Sequence, residues 1–133
     1  MRKLILLAAG LAMSLTTMNA QSTGHIYELR TYTCNEGKLP DLLKRFREHT
    51  MEIFERHHMH NVGYFIPADE PRHSNTLIYI ISHESREAAA ANWKAFQDDP
   101  EWQKVSKESE VNGKIVNHLD SVFMSPTDFS GIK

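Results

Sequence analysis

Apolar residues recur along this chain in two rhythms, every second position and every third to fourth. The switches between the rhythms mark out the elements. Residues 25–33, HIYELRTYT, alternate and are rich in Tyr and Thr, which predicts a strand. One of its faces carries Tyr27, Leu29, Thr31 and Thr33; the other carries Ile26, Glu28, Arg30 and Tyr32. A turn at Asn35-Glu36-Gly37 leads into residues 38–60, where Leu39, Leu42, Leu43, Phe46, Ile53, Phe54 and His57 trace one helical stripe. Pro40 is tolerated because it falls in the first turn, and Lys44, Arg45, Arg47, Glu48, Glu52 and Glu55 form the solvated face. Asn61-Val62-Gly63 ends that helix and opens a second strand over residues 62–68, followed by a loop through Pro67, Asp69, Glu70 and Pro71.

The run Leu77 to Ile81 within residues 75–83 predicts a central strand covered on both faces. Two helices follow. Ser85 is positioned as N-cap of the first, and Ala89, Trp93 and Phe96 share its buried face. Asp99 caps the second, Pro100 fits its first position, and Trp102, Val105, Ser106 and Ser109 lie on one side, with Gly113 as the stop. Residues 115–124 form the last strand and residues 125–129 an extended tail. The order βαββαβ with right-handed crossovers is an α+β ferredoxin-like subunit, an antiparallel sheet with both helices on one face. Ile26, Ile80, Val116, Val122 and Met124 are the residues from which the uncovered face is drawn, although alternation alone does not fix which face each occupies. A sheet bare on one side predicts a homodimer packed sheet on sheet.

The N-terminus changes the picture of where the protein works. Arg2 and Lys3 precede an apolar run from Leu4 to Leu15, and a small, polar stretch leads to Ala20. This is the pattern of a cleaved signal peptide over residues 1–20, cut after Ala20, leaving one domain over residues 21–133 in the periplasm or secreted. A retained N-terminal anchor is the alternative; after cleavage no membrane contact is expected. The whole chain carries a formal charge of −2, and losing two basic residues takes it to about −4. That balance excludes phosphate-led nucleic-acid binding. The single cysteine, Cys34, excludes an internal disulfide, so the core or a partner subunit must hold the domain together.

Two side-chain groups are candidates for chemistry. Glu28 and Arg30 share a face of a central strand, and His118 and Asp120 share a face of the strand expected beside it. Together they would bind a carboxylate ligand through Arg30, or hold Glu28 or His118 as general base; the alternative is a structural ion-pair network. Tyr32, Tyr64, Tyr79, His83 and Trp93 form the second group, suited to lining a pocket for a flat organic ligand or simply to filling the core. His57, His58 and His60 crowd a helix end, but no HExxH or paired-cysteine spacing accompanies them, so no metal is expected. There is no Gly-rich phosphate loop and no GxSxG elbow, and no cofactor is expected.

YELRTYT with the Gly37-Lys38-Leu39 helix start, AAAANWKAFQDDPEWQKVSKESE and the ending SVFMSPTDFS resemble the NIPSNAP family, over Tyr27 to Ser130. DPEW at residues 99–102 and PTDFS at 126–130 are the most specific of these elements. The resemblance implies a dimeric α/β barrel, in which two ferredoxin-like subunits bring their sheets together. It implies no single activity, because related barrels include cofactor-independent monooxygenases, isomerases and haem-handling enzymes. The expectation is a homodimeric small-molecule-binding barrel; a monooxygenase- or isomerase-like enzyme and a non-catalytic protein-interaction scaffold are the alternatives.

Overall fold

The computed structural model describes residues 25–133, so the expected signal peptide and its cleavage site lie outside the described residues. Four strands, β1 (Ile26–Cys34), β2 (His60–Phe65), β3 (Thr76–His83) and β4 (Val116–Met124), form one antiparallel sheet in the order β2-β3-β1-β4. Helices α1 (Leu39–Arg45) and α2 (Met51–Arg56), joined by a π-helical turn over Phe46–Thr50, link β1 to β2. Helices α3 (Arg86–Asp98) and α4 (Pro100–Ser109) link β3 to β4. This is the ferredoxin-like α+β arrangement. No helix among the described residues is long and apolar enough to cross a membrane.

Register assigns the two sheet faces. Glu28 sits opposite Ile81 and Phe123, and Arg30 opposite Tyr79 and Ser121. Even positions of β1, with Leu77, Tyr79, Ile81 and His83 of β3, therefore face the helices. There they meet Leu39, Leu42, Phe46, Ile53, Phe54 and Phe96 in one core. Phe54 is its hub, with ring centroids 5.5 Å from Trp93 and 4.9 Å from Phe96. Leu29, Thr31, Ile78, Ile80, Val122 and Met124 point to the other face, which no helix among the described residues covers. Within one chain β3 is thus covered on one face only, because its continuous apolar run divides between a helix-packed side and an open side. Ile26 and Val116 lie on the helix side; Val116 packs against the core.

The first long helix stops sooner than periodicity suggests. His58 takes a left-handed backbone (φ 58°), and the Met59 amide closes the turn by donating to the Phe54 carbonyl at 2.9 Å. Met59 is thereby driven into the core, and β2 opens at His60 rather than Val62. Arg45, placed by sequence on the solvated face, is buried because α4 lies beside α1 and roofs it. The tail turns back at Thr127–Ser130, and its last residue returns to the sheet, where the Tyr27 hydroxyl donates to the Lys133 carbonyl at 2.6 Å.

The α3–α4 junction forms as its residue types require. Ser85 Oγ accepts from the Ala88 amide, and Asp99 Oδ1 accepts from the Glu101 amide at 2.8 Å, with Pro100 at the first position of α4. The other Asp99 oxygen meets His57 Nε2 at 2.6 Å and Arg56 at 3.3 Å, fastening the end of α2 to the start of α4. The His57 bond, the two backbone amides and Arg56 together hold the Asp99 carboxyl at about 2. Asp99→Ala is expected to lose the cap and the clamp together, lowering stability by about 1–2 kcal/mol in urea denaturation. Asp99→Asn, which keeps an acceptor for the amides, should lose less.

A buried carboxylate with four donors

The two candidate groups merge around Glu28. Its carboxylate, 1% exposed, lies between sheet and helices and receives one donor from each of four elements. Oε1 accepts from Arg30 Nη1 and from Ser121 Oγ, both at 2.6 Å. Oε2 accepts from Trp93 Nε1 at 2.7 Å and from His83 Nε2 at 3.0 Å. The Asn92 amide donates toward His83 Nδ1 at 3.3 Å, and this contact assigns the ring proton to Nε2 and so to Glu28. Asn92 Nδ2 also lies 3.1 Å from the His58 carbonyl, tying the left-handed end of the first helical segment to this network.

Burial pushes the Glu28 carboxyl up, but the bonds from His83, Ser121, Trp93 and Arg30 outweigh it and hold it at about 2. A carboxylate so bound has all four of its acceptor positions occupied. What Glu28 does is fix Arg30. The guanidinium lies 4.1 Å from the centroid of the Trp93 ring, a cation–π contact. Its Nη2 donates to Tyr32 Oη at 3.1 Å, and its Nε is buried with no acceptor. Burial works against the cation, but Tyr32, Tyr79 and the Glu28 bond outweigh it and keep the guanidinium above its ordinary range.

Tyr32 Oη also accepts from Tyr79 Oη at 2.9 Å. With Arg30 and Tyr79 both donating, the Tyr32 proton is left for an acceptor outside the cluster. Tyr79 is wholly buried, and burial raises its phenol well above the usual range. Tyr64 stacks on Tyr79 at 5.4 Å and is likewise raised by burial, so both stay protonated.

His118 and Asp120 do not join this site. In the β4 register they sit opposite Thr33 and Thr31, on the sheet face turned away from Glu28, and pair with each other at 3.1 Å in solvent. Alternation placed them together correctly but left the face open, and it is Ser121 that turns inward. Ser121 and Asn92 were both missed. Asn92 had a signal, lying three residues after Ala89 on the buried face of α3; Ser121 had none, because β4 is polar through Asn117, His118, Asp120 and Ser121.

Of the remaining histidines two meet carboxylates, and His73 bonds the Pro67 carbonyl. His57 is held by Asp99, and His60 meets Glu55 at 2.9 Å, while His25, His58, His60 and Glu84 line a cavity of about 360 Å³. Among the described residues no three His, Cys, Asp or Glu side chains are placed to hold a metal ion together. Burial pushes the Cys34 thiol up to about 11, leaving no thiolate for nucleophilic work at neutral pH.

The family model for NIPSNAP matches residues 27–131. No curated protein matches the chain. A NIPSNAP family protein of unknown function from Agrobacterium tumefaciens superposes with TM-score 0.72 at 25% identity, covering 84% of this chain and 96% of that one. A NIPSNAP-like domain protein from Burkholderia xenovorans gives 0.69 at 19% identity, over 81% and 90% of the two chains. A monooxygenase of Streptomyces coelicolor, solved with the ligand nanaomycin D, shares the fold at TM-score 0.53 and 15% identity, over 79% and 88%. With the family model spanning β1 through the tail, the chain belongs to the NIPSNAP family.

Proposed function

We propose that this NIPSNAP protein is exported, with residues 1–20 as its signal peptide, and works as a homodimer that binds a small flat organic molecule. The ligand's oxygen acceptor, a carboxylate or carbonyl, meets the Arg30–Tyr32 donor pair. The observation that carries this reading is the unspent donors on two side chains that are otherwise rigidly held. The Tyr32 proton and the Arg30 Nε have no acceptor, although Glu28, Tyr79 and Trp93 fix the groups that bear them. A buried donor such as the Arg30 Nε is rarely left unpaired, and its cost of about 1–3 kcal/mol is recovered when an acceptor arrives, while the half-buried Tyr32 hydroxyl stands beside it. Trp93 and Tyr32 supply aromatic faces beside those donors.

The test is a thermal-shift screen of aromatic carboxylates and ketones against the purified chain from residue 21 onward. Binding to the native state alone raises the melting temperature. Tyr32→Phe keeps the ring and removes the donor, and is expected to weaken a hit by about tenfold, the worth of one hydrogen bond to a charged acceptor. Far-UV circular dichroism checks that the variant is folded. No shift from any compound, or an unchanged affinity in Tyr32→Phe, would overturn the assignment. A second reading, catalysis of the monooxygenase kind at the same place, has one observation in its favour: the shared fold with the Streptomyces coelicolor enzyme. Oxygen uptake on adding a bound hit separates it from binding alone.

A further inference from the structure

Among the described residues two arginines turn into the fold, Arg30 half-buried and Arg45 buried, and they are treated differently. Arg30 has a carboxylate at 2.6 Å. Arg45, whose side chain is 6% exposed, has none that close: Glu110 lies 3.8 Å away, and its Oε1 also accepts from the Ile115 amide. Arg45 Nη1 donates to Ser109 Oγ at 3.2 Å, its guanidinium lies 5.2 Å from the Trp102 ring centroid, and its Nε has no acceptor. Burial pulls this guanidinium below its ordinary range despite Glu110, the opposite of Arg30. An incompletely paired buried cation is costly unless something else meets it.

Arg45 lines a half-open cleft of about 330 Å³ between α1 and α4, at the small end of ligand-sized cavities. Lys44 and His49 add to its positive side; Asp41, Glu48 and Glu108 bring negative charge; Val105 and Val111 bring apolar surface. The chain carries its π-helical turn here, directly after Arg45, which sets Glu48 and His49 at the cleft. Single π turns are rare and gather at functional sites. Asp41 is engaged by Lys38 at 3.3 Å, and Glu108 is only loosely approached by Lys104 at 4.0 Å. Glu48 has no ion pair among the described residues.

An anion alone would meet three carboxylates in this cleft, and a cation alone would leave Arg45 as it stands. We propose that the α1–α4 cleft is a second ligand site taking a free amino acid with an apolar side chain. Its carboxylate docks on Arg45, its ammonium lies between Glu48 and Glu108, and its side chain rests on Val105 and Val111. This goes beyond the Arg30–Tyr32 reading and shares no residue with it, so either can fail alone.

Calorimetric titration of the folded chain with L-leucine tests the proposal. The controls are 4-methylpentanoate, which lacks the ammonium, and 3-methylbutylamine, which lacks the carboxylate. Leucine is expected to bind one per chain and both analogues at least about tenfold more weakly, the loss of one charge-assisted contact. Glu108→Gln, on an exposed helix face, should weaken leucine several-fold while leaving 4-methylpentanoate no weaker. Arg45→Lys, checked for folding by circular dichroism, should weaken both. No heat with leucine at millimolar concentration overturns the site. Equal binding of leucine and 4-methylpentanoate, or indifference to Glu108→Gln, overturns the zwitterion assignment.

Discussion

Glu28→Gln is expected to cost about 3–5 kcal/mol of folding free energy, the range seen when one partner of a buried pair is removed. Against a total stability of about 5–15 kcal/mol this lowers the melting temperature by about 10–20 °C. The amide keeps one acceptor oxygen but turns an NH2 group toward two donors. It faces either Arg30 and Ser121 or His83 and Trp93, and Arg30 loses its counter-charge in both cases. Urea denaturation measures the loss. A double variant with Arg30→Met should recover part of it, since the stranded charge is then gone.

The same carboxylate sets a pH signature. Its folded value is about 2 against an ordinary 4.5, so the unfolded chain binds the proton more readily. The stabilisation is complete above about pH 4.5 and drains away as pH falls toward 2, by about 3 kcal/mol in all. Asp99 contributes in the same direction. Glu28→Gln should therefore flatten the acid limb of the stability curve without removing it, and a limb as steep as wild type would contradict the role assigned to Glu28.

Val122→Glu is expected to turn a dimer into a folded monomer. Val122 is 54% exposed in the single chain, so the substitution leaves the core untouched. It lies opposite Leu29 on the open face, beside Ile80 across β1. Packing that face on a second copy would strip water from one carboxylate per subunit. At about 2 kcal/mol or more each, the dissociation constant rises about a thousandfold. Sedimentation velocity at micromolar concentration should give a dimer for wild type and a monomer with unchanged circular dichroism for the variant. A wild-type monomer would remove the dimer from the proposed function.

Much of this architecture was legible because local chemistry and global fold agree. Ser85, Asp99 and Pro100 announce two helices, and alternation sets Glu28, Arg30 and Tyr32 on one face of β1 and Tyr79 and His83 on one face of β3, but only the strand register brings the two sets to the same side. Three features escaped for physical reasons. β4 is an edge strand wet on both faces over Asn117–Val122, so no alternation marks its inward residue, and Ser121 was passed over for His118 and Asp120. Arg45 was read by its charge as solvated, whereas a neighbouring helix, invisible to one-dimensional periodicity, encloses it. The first helical segment ends at a left-handed histidine, where composition offers Gly63 as the more obvious breaker.

The His118–Asp120 pair, excluded from the site, has a consequence of its own. β4 is an edge strand of the sheet, and its outer rim of backbone amides and carbonyls has no neighbouring strand among the described residues. Strands of that kind recruit further strands and grow into fibrils when their side chains are bland. Here the imidazole and carboxylate stand beside the rim in solvent, with Asn117 next to them, so a strand added there would have to strip water from polar side chains. The β4 rim is thereby guarded by its own side chains, leaving β2 as the sheet edge that such polar side chains do not shield.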